Sequence, residues 1–259
     1  MTHARPKTVL LTGAARGIGL ATAKRFLAEG WCVGMLDIDA GTLAQAVAEI
    51  GRPDAVLALP ADVADSAAVN ASVSRIEATF GRLDALINNA GTAVFKSVLD
   101  TTPEEWERVM AVNLMGPFLT VLAAAPLLRR QGGAVVNITS ISGLRASTLR
   151  VAYGTSKAGL AHLTKQMAVE LANKGIRVNA VAPGPVDTAM AKAVHSPAIR
   201  KDYHDAIPLG RYGLEEELAE AIFFLCSERA SYITGQILAV DGGFDAAGIG
   251  LATLRADES

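Results

Sequence analysis

Thr12-Gly13-Ala14-Ala15-Arg16-Gly17-Ile18-Gly19 stands between an apolar run, Thr8 to Leu11, and an amphipathic stretch, Ile18 to Ala28. A glycine-rich turn from a buried strand into a helix gathers backbone N–H groups at the positive end of the helix dipole, which is the chemistry that holds a pyrophosphate. Three residues rather than one separate the first two glycines, so the turn is a variant of the G-x-G-x-x-G signature. A tight strand-to-helix connection with no ligand has a similar composition.

Short aliphatic runs follow on both sides of helical stretches: Trp31 to Leu36, Ala55 to Leu59, Leu83 to Ile87, Ala134 to Ile138, Ile176 to Val181 and Ile237 to Val240. Together with the first run they predict about seven parallel strands buried on both faces, with crossover helices between them. The expected architecture is one doubly wound α/β domain of the Rossmann type over residues 1–259, strand order 3-2-1-4-5-6-7, with helices on both faces. Ile18 to Ala28, Ala67 to Thr79 and Tyr153 to Asn173 are long enough to show the helical period, and Gly30, Gly81 and Gly175 mark helix ends. Residues 187–214, with Pro197, Pro208 and two histidines, read as a substrate loop, and the tail from about Asp245 as a segment that docks on a neighbour or frays.

Composition narrows the partners. The 24 Lys and Arg against 26 Asp and Glu, net charge −2, give no field that favours nucleic acid or an anionic membrane, so a small molecule is expected. With 51% hydrophobic but only 5% aromatic residues, the core is aliphatic. Met1 to Lys7 lacks the apolar stretch of a secretory signal, which predicts a cytoplasmic protein. Val109 to Leu128 is 20 residues long and free of formal charge, but Asn113, Gly116, Pro117, Thr120 and Pro126 make it a buried or interface helix rather than a membrane span. Cys32 and Cys226 have no partners at metal or redox spacing and are expected to fill space. No metal site is expected, and His195 and His204 read as loop surface.

Asp37 ends the second strand, 18 residues after Gly19, where a carboxylate accepts hydrogen bonds from an adenosine ribose and repels a 2′-phosphate. Arg16 argues weakly the other way, because a guanidinium in the loop pairs with such a phosphate. NAD is therefore expected over NADP. The alternative for Asp37 is an ordinary helix cap, a task Asp39 is equally able to perform.

Tyr153 and Lys157 lie four residues apart at the start of a helix, hence on one face. An ammonium beside a phenol is expected to draw its pKa of ~10 toward the range useful for proton transfer. Ser140, after the fifth strand, reaches the same site and is suited to hydrogen-bond a substrate oxygen as charge develops on it. A solvated helix face and a turn-capping serine are the plainer readings of the same residues.

Over nearly its full length the chain resembles the short-chain dehydrogenase/reductase family. The resemblance implies that the turn with Gly13, Arg16, Gly17, Ile18 and Gly19 binds NAD(P), and that Asn88-Asn89-Ala90-Gly91 supports the adenosine side. It implies a catalytic tetrad of Asn113, Ser140, Tyr153 and Lys157, with Ser140 thirteen residues before Tyr153. It also implies that Asp62 and Val63 contact adenine, and that Pro183, Gly184, Val186 and Thr188 hold the nicotinamide. Tyr153 then exchanges the proton of a secondary alcohol, Lys157 also holds the nicotinamide ribose, and Asn113 helps retain a water in the proton path. A homotetramer or homodimer is implied, built on the helix containing Asn113 and the helix from Tyr153.

Thr92 to Ser97, Ser142 to Arg150 and residues 187–214 are expected to set the substrate, with polyol, sugar, hydroxysteroid and hydroxyacyl types all open. Arg145 and Arg150 would suit an anionic or polyhydroxy one. Two rival functions remain at this stage: an NADPH-dependent 3-oxoacyl reductase, and a dinucleotide-binding sensor or scaffold without turnover. Intact Tyr153 and Lys157 weigh against the second.

Overall fold

The computed structural model describes residues 5–248, so most of the polar opening and of the C-terminal tail lies outside them. Seven strands form one wholly parallel sheet: β1 (Thr8–Thr12), β2 (Cys32–Asp37), β3 (Val56–Pro60), β4 (Ala85–Asn88), β5 (Gly133–Ile138), β6 (Ile176–Pro183) and β7 (Ile237–Val240). Their order is β3-β2-β1-β4-β5-β6-β7, as the sequence predicts. The helices are α1 (Gly17–Ala28), α2 (Ala40–Ile50), α3 (Ser66–Phe80), α4 (Pro103–Met110), α5 (Gly116–Leu128), α6 (Ile141–Leu144), α7 (Val151–Leu171), α8 (Ala189–Val194), α9 (Pro197–Ala206) and α10 (Glu215–Cys226).

Alternation along each strand divides the core. Val9, Leu11, Val33, Met35, Ile87 and Val136 face one layer with Phe26 of α1, Leu43 of α2 and Ile222 of α10. Leu10, Leu36, Leu86 and Val135 face the other, with Ile76 of α3, Val121 and Ala124 of α5 and Met167 of α7. Burial on both faces explains why the strands read as continuous apolar runs. The chain moves outward through β2 and β3, then returns to start β4 on the other side of β1. The carboxyl ends of β1 and β4 therefore flank the switch point, where open α/β sheets place their ligands.

Two expectations change. Residues 187–214 are not an open loop: Thr188 and Ser196 each cap a short helix, α8 and α9, and Pro197 opens the second. Ser-Pro at a helix start is a readable signal that the proline content obscured. The second concerns Val109 to Leu128, which is not one α-helix. A π-helical turn, Ala111–Met115, joins α4 to α5. The N–H that would serve the Asn113 carbonyl in an α-helix belongs to residue 117, a proline, which has none.

Candidate active site

The β1–α1 turn has the shape of a phosphate cradle. Asp39, Asp65, Thr102, Thr188 and Ser196 cap α2, α3, α4, α8 and α9 with their side chains. At α1 the N-cap residue is Arg16, which makes no such bond, so the first-turn N–H groups have no side-chain cap. A Cβ on Gly19 would stand 2.0 Å from the Gly13 carbonyl oxygen, so the turn closes this tightly only with glycine there. The Asn89 amide fixes it from the β4 side, donating to the carbonyls of Thr12 at 3.1 Å and Gly13 at 2.8 Å. Thr12 completes the staple, its hydroxyl accepting from the N–H groups of Asn89 and Ala90, both at 3.0 Å. The sequence reading counted Thr12 in the turn but gave its hydroxyl no part, although a hydroxyl ending an aliphatic strand is a visible signal.

The two aspartates after β2 separate cleanly. Asp39 is the cap of α2, accepting from the Thr42 N–H at 3.0 Å and the Thr42 hydroxyl at 2.6 Å, and these bonds hold its pKa below the usual carboxylate value. Asp37 is left at the strand end, buried, with its carboxylate accepting from the N–H groups of Ala15 and Asp39, each at 3.0 Å. One aspartate thus ties the phosphate turn to the end of β2. Arg16 points to Asp39, 3.5 Å away, on the exposed side. Asp62 accepts from the Ala64 N–H, and Val63 packs against Gly116 at the start of α5.

At the carboxyl end of β5 the four tetrad positions come together. Ser140 caps α6, accepting from the Ser142 N–H at 3.1 Å, and its hydroxyl is placed to act on the Tyr153 phenol. Lys157 is 4% exposed and its Nζ donates to the Ile138 carbonyl at 2.7 Å. Nζ also stands 5.8 Å from the centre of the Tyr153 ring. A Cβ on Gly91 would lie 3.5 Å from Lys157 Nζ and 3.4 Å from Asn113 Oδ1, so the turn after β4 passes directly over both.

The electrostatics differ from the sequence expectation. Burial pushes the Tyr153 phenol above its ordinary 10, and the groups that oppose this are the Ser140 hydroxyl and the charge of Arg150, not Lys157. Burial also lowers the Lys157 ammonium to about 8. A desolvated cation tied to a carbonyl and lying against the ring is a weaker lever on the phenol than i,i+4 spacing suggests. The charge of Arg150, three residues before Tyr153, opposes the rise of the phenol, less than Ser140 does and without reversing it.

Asn113 is fully buried and its amide is completely engaged: Oδ1 accepts from the Thr92 N–H at 2.9 Å, while Nδ2 donates to the Thr92 carbonyl at 2.9 Å and to Ser156 Oγ at 3.0 Å. The side chain is therefore a bracket between the β4 turn and α7. Its backbone carbonyl has no α-helical N–H donor, because residue 117 is a proline. Deeper in, a buried chain runs from Thr120 to Asn88 (2.6 Å), to Asn137 (2.9 Å) and to Thr164 (2.9 Å), tying α5, β4, β5 and α7 beneath the site. Asn137 and Thr164 were missed, though an asparagine inside Val-Val-Asn-Ile is out of place in a buried strand.

After β6, Gly184 donates to the Val240 carbonyl, and Val186 bridges to Gly213. Thr188 Oγ1 accepts from the Ala191 N–H at 3.1 Å, so its proton is what it has left to offer. His195 is not loop surface: it is half-buried among Tyr203 and Tyr212, with Nδ1 3.0 Å from the Tyr212 hydroxyl. His204 is exposed, with its ring edge-on to Tyr212. Cys32 and Cys226 are buried, the latter with its thiol pushed up to about 12, an inert setting.

A protein-family model described as enoyl-(acyl carrier protein) reductase matches residues 13–245. A 2-(S)-hydroxypropyl-CoM dehydrogenase of Xanthobacter autotrophicus is 40% identical over 247 residues, 93% of this chain and 97% of its own. The chain belongs to the short-chain dehydrogenase/reductase family. Among the family's members, a 3-oxoacyl-[acyl-carrier-protein] reductase of Thermotoga maritima is 39% identical over 239 residues, 92% of this chain and 97% of its own. The crystal structure of a 3-ketoacyl-(acyl-carrier-protein) reductase from Brucella melitensis complexed with NADH superposes with a TM-score of 0.87 at 36% identity, covering 93% of this chain and 99% of that one. This short-chain dehydrogenase/reductase is accordingly an oxidoreductase that interconverts a secondary alcohol and a carbonyl with a nicotinamide cofactor.

Proposed function

We propose that the chain is an NAD(H)-dependent dehydrogenase in which Tyr153 exchanges a proton with the substrate oxygen, assisted by Ser140, Lys157 and Asn113. The observation that carries this reading is the buried Lys157 ammonium 5.8 Å from the centre of the Tyr153 ring, with Ser140 at the cap of the neighbouring helix α6. Ser140 Oγ already accepts from the Ser142 N–H, which leaves its proton to donate toward a substrate oxygen or the phenol. Tyr153 accepts the hydroxyl proton in oxidation and returns it in reduction. Lys157 spends one N–H on Ile138 and has two others, one for the nicotinamide ribose and one for the proton path. The Asn113 carbonyl is suited to hold a water at the far end of that path.

The open first turn of α1 and the tight Gly13–Gly19 approach fit a dinucleotide pyrophosphate, with Gly17 and Ile18 in the cradle. Asp37 would take the adenosine ribose, Asp62 and Val63 the adenine, Asn89, Ala90 and Gly91 the adenosine side, and Pro183, Gly184, Val186 and Thr188 the nicotinamide. When bound, the nicotinamide supplies the hydride acceptor or donor. The buried carboxylate of Asp37 and the engagement of Arg16 with Asp39 favour NAD(H) over NADP(H), since a 2′-phosphate would meet negative charge without a free cation from the loop.

The similarity to 3-oxoacyl-[acyl-carrier-protein] reductases favours a second reading, NADPH-dependent reduction of a 3-oxoacyl group. Steady-state rates on a panel of alcohols and ketones, each with NADH and NADPH or their oxidised forms, separate the two. Turnover with a strong NADH preference is expected. A strong NADPH preference removes the Asp37 argument. Met115, Phe118 and Leu122 form an exposed apolar row at i, i+3 and i+7 along the helix carrying Asn113, which supports a homodimer or homotetramer through this face.

A further inference from the structure

We propose that Arg150 is the residue that selects the substrate, and that the alcohol or ketone taken by this site bears an oxyanion, a carboxylate or a sulfonate, close to the reacting carbon. This rests on the dehydrogenase reading and narrows its substrate class.

Around the mouth of the site Lys96 is held by Glu105 at 2.6 Å, Arg145 by Asp245 at 2.8 Å, and Arg211 by Glu217 at 2.6 Å. Lys192 and Arg200 share Asp187 at 3.2 and 2.7 Å. Arg150, half-buried three residues before Tyr153, has no carboxylate partner among the described residues. Its guanidinium reaches only two hydroxyls at the limit of hydrogen bonding, Ser142 Oγ at 3.4 Å and Tyr203 OH at 3.5 Å, and lies 5.1 Å from the centre of the Phe95 ring. Five N–H donors in a fixed fork thus lie between the Phe95 ring and Tyr203 of α9 with most of their capacity unused. Its charge bears on the Tyr153 phenol.

Local backbone supplies a second, independent observation. Leu149, directly before Arg150, has φ of +59° and is the only non-glycine residue with positive φ among the described residues. A left-handed leucine is disfavoured, and such outliers gather where a neighbouring side chain must be aimed. Arg150 itself opens α7 without capping it, so its side chain does no work for the helix. Of the two arginines singled out in the sequence, Arg145 is neutralised and Arg150 is the one left for a ligand. A planar guanidinium beside the proton-transfer residue matches the two oxygens of a carboxylate or sulfonate.

The test compares acetoacetate with acetoacetamide, and 3-oxobutane-1-sulfonate with its sulfonamide, as NADH-linked substrates of the full chain and its Arg150→Gln variant. In the wild type the kcat/KM ratio of anion to neutral isostere is expected to be roughly 30 to 100 in at least one pair, and to collapse to about 1 in R150Q. The pair that responds identifies the oxyanion. Taking a ratio cancels any effect of the variant on Tyr153, and Arg150→Lys should give an intermediate value. Calorimetry of each oxyanion with the protein loaded with NAD⁺, where no hydride can pass to a ketone, is the parallel readout, with binding lost in R150Q. A wild type without preference, or a ratio unmoved by R150Q, overturns the proposal. Oxyanion binding that depends on Arg150 without turnover of any ketone overturns the dehydrogenase reading alone.

Discussion

Replacing Lys157 by methionine keeps the side chain's length and removes its charge. Burial lowers that ammonium from its ordinary 10.5 to about 8, so carrying the proton inside the folded chain costs on the order of 3 kcal/mol. Against this stands the hydrogen bond from Nζ to the Ile138 carbonyl at 2.7 Å. Losing it costs about 1 kcal/mol, because a carbonyl short of a donor is the milder case of an unsatisfied group. Charge therefore outweighs the hydrogen bond, and K157M is expected to be more stable than wild type by about 2 kcal/mol at neutral pH. Below about 8 both the folded and unfolded wild-type chains hold the proton, and its cost is constant. Between about 8 and 10.5 the folded chain has released it while the unfolded chain still binds it, so wild-type stability rises with pH through that window. The advantage of K157M should vanish and reverse by the upper end of the window, while the variant stays inactive throughout. Urea unfolding of cofactor-free protein at both ends of the window, followed by circular dichroism, measures this. A variant less stable than wild type at neutral pH, or a difference that does not move with pH, would refute burial as the dominant influence on Lys157.

Other substitutions probe the cofactor site. Asp37→Asn keeps the shape of the side chain and removes the charge facing a 2′-phosphate, so the NADPH-to-NADH ratio of kcat/KM should rise at least about tenfold; an unchanged ratio would mean the carboxylate does not set the preference. Gly19→Ala sets a methyl 2.0 Å from the Gly13 carbonyl oxygen, a backbone atom that cannot swing aside. The affinity for NADH, read by fluorescence titration, should fall about 100-fold; wild-type affinity in this variant would contradict the phosphate-turn assignment.

Much of the architecture was legible because strands buried on both faces leave continuous aliphatic runs, and because glycines punctuate the helix ends. Gly81 and Gly175 both adopt the left-handed conformation just after helical segments. Tyr153, Lys157 and Ser140 lie close together as the sequence expects because the first two are fixed by one helix and Ser140 by one strand end. Their charges were not legible, since a pKa depends on burial and on neighbours such as Arg150 that spacing alone does not reveal. Asn113 was singled out by its place in the family pattern, while Pro117, which removes the α-helical donor to its carbonyl, was in the sequence. The two helices between 187 and 214 were hidden by proline, which marks a helix start as readily as a break. The division of labour between Asp37 and Asp39 required the structure, because either aspartate satisfies the sequence preference for a cap.

The most direct test of the account is Tyr153→Phe, which removes one hydroxyl and keeps the ring over Lys157. NADH affinity is expected to stay within about threefold of wild type while kcat on any accepted alcohol or ketone falls by roughly 100-fold or more. Undiminished turnover in that variant would contradict the assignment of proton transfer to Tyr153.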